Sequence, residues 1–405
     1  MRVLLLAPHP FYTERGTPIA VRTVAETLCR AGYCVDVLTY HEGEDLEYEN
    51  LRILRIPKPP FVANVPIGFS WKKLICDLYL AAHALRLLKR GRYHVVHAVE
   101  EAVFPMVAAR ALWRFRLVYD MDSLLSAQLI EAQPWLARIG AVFRALESWA
   151  IRRSDLILAV SPAITEYVAE VAPEKPAYVM HDVPTVPDST HRPAEDLRAP
   201  LEEGDALALY VGNLEQYQGI DLLLEAMARL GERGPIALAV IGGDPVAVAR
   251  YRARARALGV ANKVHFYGPR PLHALPAYLE QADVLVSPRL HGINTPMKVY
   301  AYMASGRPIV ATDIPSHVQV LDSHCAVLVP PAPDPLAEGM LQLAQDAELG
   351  NRLGENGARR SRRYYSREAF EVALLTAYDA LTSVIRDDAT PSDHARRPLE
   401  GPTRL

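Results

Sequence analysis

Two kinds of hydrophobic pattern alternate along the chain. Short continuous apolar runs, RVLLLA from Arg2, CVDVLTY from Cys34, LRILRI from Leu51, HVVHAV from His94, RLVYDM from Arg116 and LILAVS from Leu156, read as buried strands. Between them, apolar residues recur every three or four positions, which predicts helices over Ala20 to Ala31, Trp71 to Lys89 and Ile139 to Arg152. Strand and helix in alternation imply a parallel sheet covered on both faces. The segment from Val183 to Pro200 has no period and is dense in proline and charge, as a linker is. The cycle then restarts with ALALYVG, ALAVIGG, VHFYG, DVLVSP, PIVAT and AVLVP as strands, and helices over Ile220 to Leu230, Ala247 to Leu258 and Leu272 to Gln281.

The fold class is therefore α/β, with two Rossmann-like doubly wound domains facing a cleft. The expected layout is a first domain over 1–183, a linker over 184–200 and a second domain over 201–366. A helix over 367–385, apolar at Phe370, Val372, Leu375, Ala377 and Leu381, is expected to cross back to the first domain. The tail 386–405 has almost no large apolar residues and reads as disordered.

One further helix shows where a ligand is expected. In TPMKVYAYMASGRPIVAT, Thr295 reads as an N-cap, Pro296 as the first helical residue, and Val299 and Met303 as one face; Ser305, Gly306 and Pro308 then stop it. The free N–H groups at its start and the charge of Lys298 favour an anion. A second loop, VGNLEQYQGID, places Gly212 and Asn213 after a strand, and Gly219 before a helix with Asp221 in its first turn. A tight strand-to-helix turn explains that loop by itself; two helix starts converging on one crevice would favour a phosphate-bearing ligand.

Composition narrows the field. Half the residues are hydrophobic and 22% charged, as in an ordinary globular enzyme, and the net charge of -3 disfavours whole-chain attraction to nucleic acid or membrane. The four cysteines, Cys29, Cys34, Cys76 and Cys325, lack CxxC or metal-ligand spacing and read as buried thiols in a reducing, cytoplasmic compartment. The stretch most like a membrane span, LICDLYLAAHALRLLKR, is interrupted by Asp77, His83 and Arg86. Neither first strand is followed by GxGxxG, which disfavours a dinucleotide-dependent dehydrogenase.

The second half resembles the donor domain of family-4 retaining glycosyltransferases of the GT-B fold, through ALYVGNLEQYQGIDLLLEAM, VHFYGPRPLHALPAYLEQADVLVSP, KVYAYMASGRPIVATDIPSHVQVL and RLGENGARRSRRYYS. The resemblance extends over nearly the whole chain to about residue 385. It implies a nucleotide-sugar donor whose diphosphate sits at the helix that begins near Pro296, and no metal or other cofactor. It also implies that Gly16, in TERGTPIAVRTVAETL, lies where donor and acceptor approach closely. Two departures stand out. Where the family places an arginine after the VG turn and a lysine five residues later, this chain has Asn213 and Gln218; where it places two glutamates, it has Ile293 and Ala301. Donor contacts are thus expected from Gly16, Gly212, Asn213, Gln218, Arg289, Asn294, Thr295 and Lys298, with Lys298 and Arg289 replacing the missing charge.

In the first domain, Asp122 stands near the position of a histidine that many family members carry, with Asp120 two residues earlier. Strand alternation places both on one side, so one is protonated or a cation lies between them, unless Asp120 caps a turn and Asp122 a helix. Asp122 and Glu100 are the candidate catalytic groups, and His97 and Glu101 the candidate acceptor contacts. Basic residues interleaved with aromatics (Lys72, Lys73, Arg86, Lys89, Arg90 and Arg92 with Trp71 and Tyr79, then Arg110, Arg114 and Arg116) suit an anionic bilayer or a solvated helix face. The sequence reading is a cytoplasmic, metal-independent glycosyltransferase with a glycan or lipid-linked acceptor, peripheral membrane contact and no nucleic-acid partner. The competing readings are a catalytically impaired nucleotide-sugar-binding protein, a sugar-nucleotide epimerase and a phosphorylase on the same fold.

Overall fold

The computed structural model describes residues 1–13, 16–66, 70–126, 138–183, 195–231, 234–292 and 294–389. In the first domain β1 (Arg2–Ala7), β2 (Cys34–Thr39), β3 (Leu51–Arg55), β4 (Val95–Val99), β5 (Arg116–Met121), β6 (Leu156–Ala159) and β7 (Ala177–Val179) form one sheet. Its order is β3-β2-β1-β4-β5-β6-β7, and every pairing is parallel. Helices cover both sides of the central strands, which is why β1 and β4 are buried almost throughout and read as unbroken apolar runs. Helix α1 (Gly16–Arg30) packs on one face; α2 (Trp71–Arg90), α3 (Val103–Ala109), α4 (Gly140–Arg153) and α5 (Pro162–Val171) pack on the other.

The second domain repeats the plan with β8 (Ala206–Val211), β9 (Ile236–Ile241), β10 (Val264–Gly268), β11 (Val284–Ser287), β12 (Ile309–Thr312) and β13 (Val327–Val329). The order is β10-β9-β8-β11-β12-β13, again parallel. Its helices are α6 (Ile220–Leu230), α7 (Pro245–Ala257), α8 (Leu275–Leu279), α9 (Met297–Ser305), α10 (Pro315–Val318), α11 (Pro333–Gln345) and α12 (Ala347–Tyr364). The last helix, α13 (Arg367–Ala389), packs Phe370, Leu374, Ala377, Tyr378 and Leu381 into the core beneath α1 of the first domain.

Several boundaries differ from the sequence pattern. Helix α1 begins at Gly16, so Thr17 and Pro18 already lie in its first turn. The helix expected over Leu272 to Gln281 divides into a single 3-10 turn, Leu272–Ala274, and the five-residue α8. Helix α9 begins at Met297: Pro296 is extended at ψ 132, and Thr295 makes no capping bond. A residue before proline is disfavoured in the helical region, so Thr295 cannot enter the turn easily. On α13 Val372 faces solvent and Leu374 takes the inward place.

Of the expected linker, residues 184–194 lie outside the described residues. The remainder is held to the second domain: Leu197 is fully buried, Glu195 pairs with Arg270 at 2.6 Å and Arg198 with Asp283 at 2.7 Å. The helix α13 runs on to Ala389, into the stretch read as a tail, and residues 390–405 lie outside the described residues. No helix among the described residues is long and apolar enough to cross a membrane.

Candidate active site

Each sheet reverses its winding in the middle, between β1 and β4 in one domain and between β8 and β11 in the other. Open parallel sheets bind ligands beyond the carboxyl ends of the strands at such a point. The loops after β8 and β11 meet backbone to backbone there. A Cβ on Gly219, at φ +76, would stand 1.9 Å from the Pro288 carbonyl oxygen, and the Leu290 amide donates to the Tyr217 carbonyl at 2.9 Å. Gly212, at φ +151, lies so close to Tyr210 and Lys298 that a Cβ would come within 3.0 Å of the Tyr210 hydroxyl and 3.1 Å of the Lys298 Nζ.

Lys298 is the centre of this wall. Its Nζ donates to Gln218 Oε1 at 2.9 Å and stands 3.9 Å from the centre of the Tyr210 ring, and the residue is partly exposed. Burial first, and the neighbouring Arg289 second, hold its pKa well below the ordinary lysine value. An arriving anion would restore the charged form. Gln218, buried at 7% exposure, thus orients the ammonium group from the position where the family resemblance places a lysine. The Asn213 side chain is exposed, and its backbone carbonyl accepts from the Tyr210 hydroxyl at 2.6 Å.

Arg289 braces its own loop. Its Nε donates to the His291 carbonyl at 2.8 Å, its Nη1 to the Asn294 carbonyl at 3.0 Å, and the guanidinium lies 5.2 Å from the Tyr217 ring centre. Thr295 is buried, with its hydroxyl unpaired beside the start of α9. Ile293, one of the two glutamate positions of the family, lies outside the described residues. Ala301, the other, is buried on α9 between Tyr300 and Tyr302, and the Tyr302 hydroxyl accepts from the Val211 amide at 2.8 Å.

The facing wall is acidic. Glu100 opens a 3-10 turn, Glu100–Ala102, at φ 51, and both its oxygens accept from the Ser123 hydroxyl, at 3.0 and 3.1 Å. Burial, then Asp122 and Glu101, push its pKa well above the carboxylate range. Asp122 has a buried, unpaired Oδ2, and burial, then Asp120 and Asp182, raise it well above that range too. Asp182 is pushed up to about 7 by burial and Asp120. Burial and mutual repulsion thus favour the protonated forms across this cluster. Asp120 takes a different place, accepting from His97 Nε2 at 3.0 Å. Among the described residues no three or more His, Cys, Asp or Glu side chains are arranged to hold a metal ion.

His97 requires a correction. It is fully buried, with Nε2 on Asp120 and Nδ1 2.7 Å from the Tyr378 hydroxyl of α13, so it ties sheet to helix and has no face toward an acceptor. Glu101 pairs with Lys73, whose Nζ also donates to the Pro8 carbonyl at 3.2 Å. Lys73 therefore belongs to the cleft and not to the outward basic cluster. Asn294 donates from Nδ2 to the backbone carbonyl of Asp122, across the two domains. Gly16 faces Met297 across the same gap, where an added Cβ would stand 3.4 Å from the Met297 sulfur.

Sequence reasoning did not single out Asp182, Ser123 or His317. His317 donates from Nδ1 to the Thr312 carbonyl at 2.8 Å and meets the Ser287 hydroxyl at 2.9 Å through Nε2, joining the ends of β11 and β12. Burial lowers it to about 4, so it is neutral and its Nε2 accepts. Its place in DIPSHVQV, five residues past the end of β12, is the one signal that could have pointed to it.

Known proteins share this fold. Residues 15–181 match the family profile described as Glycosyltransferase Family 4, and residues 192–360 match Glycosyl transferases group 1. A D-inositol 3-phosphate glycosyltransferase from Corynebacterium diphtheriae is 26% identical over 87% of this chain and 89% of its own length. A sucrose-phosphate synthase structure from Thermosynechococcus elongatus superposes with a TM-score of 0.77 at 20% identity, over 95% of this chain and 99% of that one. The Anabaena HepE structure in complex with UDP gives a TM-score of 0.70 at 16% identity, over 96% and 100% of the two chains. With each half matched by its own profile and a relative spanning both, the chain belongs to the family-4 glycosyltransferases of the GT-B fold, which transfer sugar from a nucleotide-sugar donor.

Proposed function

We propose that this enzyme binds the donor diphosphate between Lys298, the start of α9 and the Gly212 turn, and transfers the sugar with retention to a hydroxyl of a glycan or lipid-linked acceptor lying against the acidic wall. The bond from the anomeric carbon to the phosphate oxygen breaks as the bond to the acceptor oxygen forms, and the acceptor proton passes to the departing phosphate. Lys298 and the free amides of α9 meet the charge that develops on the leaving group. The unpaired Oδ2 of Asp122 and the Glu100 carboxyl offer hydrogen bonds to sugar and acceptor hydroxyls. HepE has been determined with UDP and with UDP-glucose, which makes uridine nucleotides the first donors to try.

The observation that carries the reading is the Lys298–Gln218 pair beside Gly212, which sets a cationic side chain at the start of α9 where the family's usual phosphate ligands are replaced. Titration calorimetry with UDP tests it. Lys298→Ala should weaken binding about tenfold or more, the scale of one lost charge-assisted hydrogen bond. Asn213→Ala, at an exposed side chain, should change affinity little. Equal losses, or the larger loss at Asn213, reject the assignment. Turnover of a nucleotide sugar with a lipid extract then separates transfer, which releases free nucleotide, from epimerisation, which leaves the diphosphate intact.

A further inference from the structure

The outer surface of the α2, α3 and α4 layer is unusual. Helix α2 exposes Trp71, Leu74 and Leu78, the last at 71%, and α4 exposes Val142, Leu146 and Trp149. Both sets follow spacings of three and four, so each forms a stripe along the solvent side of its helix. The inward sides are already filled by Cys76, Leu80, Ala84 and Leu88 on α2 and by Ala150 and Ile151 on α4. Leu112, 75% exposed in the turn after α3, adds to the same surface. Packing accounts for none of these exposed side chains.

Charge on this layer is equally one-sided. Over 71–116 and 138–153, leaving aside Lys73 in the cleft, there are twelve lysines and arginines against four acidic residues, in a chain whose net charge is -3. All four acids are engaged inward: Glu147 is buried on Ser126, Asp77 pairs with the Tyr40 hydroxyl, and Glu100 and Glu101 line the cleft. Where α2 ends, an open cavity of about 800 Å³ is lined by Lys89, Arg90, Arg92 and Arg114 beside Trp113, with no acidic side chain in its wall. Arg110 and Arg116, also in the wall, are drawn to Asp155. The cavity lies at the amino-terminal edge of the sheet, beside the starts of β4 and β5, and so opposite the cleft. Helix α2, twenty residues and thus about 30 Å long, connects the two, because Lys73 at its start already pairs with Glu101 in the cleft.

We propose that the α2–α3–α4 surface docks on an anionic phospholipid bilayer, its apolar stripes entering the interface and the basic cavity seating a phosphate-bearing headgroup. Apolar stripes bordered by arginine and lysine match a negatively charged interface. The same charge opposes pairing of two copies through this face. The use of docking, to bring the cleft mouth beside a lipid-borne acceptor, rests on the acceptor reading above; docking itself is measured without donor or acceptor.

The full chain, free of nucleotide, is sedimented with vesicles of phosphatidylcholine alone and of equimolar phosphatidylcholine and phosphatidylglycerol. Binding to the anionic vesicles should be about tenfold or more tighter and should weaken with added salt. The charge variant Lys89→Glu, Arg90→Glu, Arg114→Glu and the apolar variant Leu78→Ser, Val142→Ser, Leu146→Ser should each lose about tenfold or more. Both should keep their melting temperature and UDP affinity, because every changed side chain is exposed and none belongs to the donor or acidic walls described above. Equal binding to the two vesicle types, or to neither, overturns the proposal. Saturable binding of inorganic pyrophosphate at the cavity without vesicle binding would assign it to a soluble anion, and self-association abolished by the apolar variant would assign the stripes to a second copy; either result overturns it too.

Discussion

Lys298 illustrates what one residue in a sequence can and cannot disclose. Its charge at a helix start is visible from order alone; its dependence on Gln218, eighty positions earlier, is not, because the contact exists only once β8 and β11 are neighbours. His97 was misread for a related reason: β4 is buried on both faces, so alternation shows which residues share a side but not which side opens on the cleft. The pKa of Lys298 is depressed by burial and Arg289 in the free protein, and a bound diphosphate would favour the charged form. Donor binding should therefore take up a proton between the depressed free value and the higher bound value. Affinity should fall as pH rises through that window. A nucleotide sugar is the right probe, since its diphosphate is esterified at both ends and does not titrate near neutrality. Calorimetry over a series of pH values from neutral upward, in buffers of different ionisation enthalpy, should show proton uptake in the window where the free amine has lost its proton, and none with Lys298→Met. No uptake at any pH of the series in the natural enzyme, or the same uptake in the variant, would show that this amine does not meet the phosphate.

At the level of elements, the strands were legible because continuous apolar runs bounded by turns have few other uses, and long helices such as α2 showed their period clearly. Helix α12 offers only Leu349, Leu353 and Tyr364 as large apolar residues to carry such a period. It packs Gly350, Gly354 and Gly357 against Pro308, the Gly306 backbone and Met303, and a Cβ on Gly354 would stand 2.0 Å from the Gly306 carbonyl oxygen. Closeness, not apolar bulk, builds that contact, so a hydrophobic pattern misses it. Helix α9 is thereby pressed between α12 and the sheet, and this decides what a carboxylate at Ala301 would do. Ala301 is buried, Tyr302 is fixed to the Val211 amide, and Tyr300 packs against Tyr365 at 5.1 Å between ring centres. A glutamate there would overpack the helix at a cost of about 1–3 kcal/mol. Three residues beyond Lys298, it would also lie on the same face as that ammonium and compete with the diphosphate for it. Ala301→Glu should accordingly melt at a lower temperature and bind UDP more weakly. Tighter binding by the variant would instead mark the natural alanine as a lost ribose contact, the behaviour of a degenerate donor site.

For the whole molecule, two parallel sheets follow from the alternation of strand and helix, but the way one domain rests on the other depends on a few side chains that carry no pattern. Asn294 reaches from the loop after β11 to the Asp122 carbonyl after β5, Met297 meets Gly16, and His181 stacks edge-on with Tyr365 at 4.8 Å between centres. Burial lowers His181 to about 4, so that ring contact is neutral at physiological pH and insensitive to modest acidification. The Asn294 bond is then the polar latch of the cleft. It holds the backbone beside Asp122 while the donor wall lies across from it, so it favours the closed arrangement of the domains. One neutral hydrogen bond contributes about 0.5–1.5 kcal/mol, enough to shift a balance between open and closed forms but not to unfold either domain. Asn294→Ala should increase the radius of gyration measured by small-angle X-ray scattering in the absence of ligand, with the melting temperature little changed. Saturating UDP-sugar should restore the compact value, because a ligand that contacts both walls favours closure by its differential affinity. Donor affinity should drop several-fold in the same variant, since part of the binding energy is then spent on closing the domains. An unchanged radius together with unchanged affinity would show that the other contacts, α13 included, hold the domains and that Asn294 is incidental to closure.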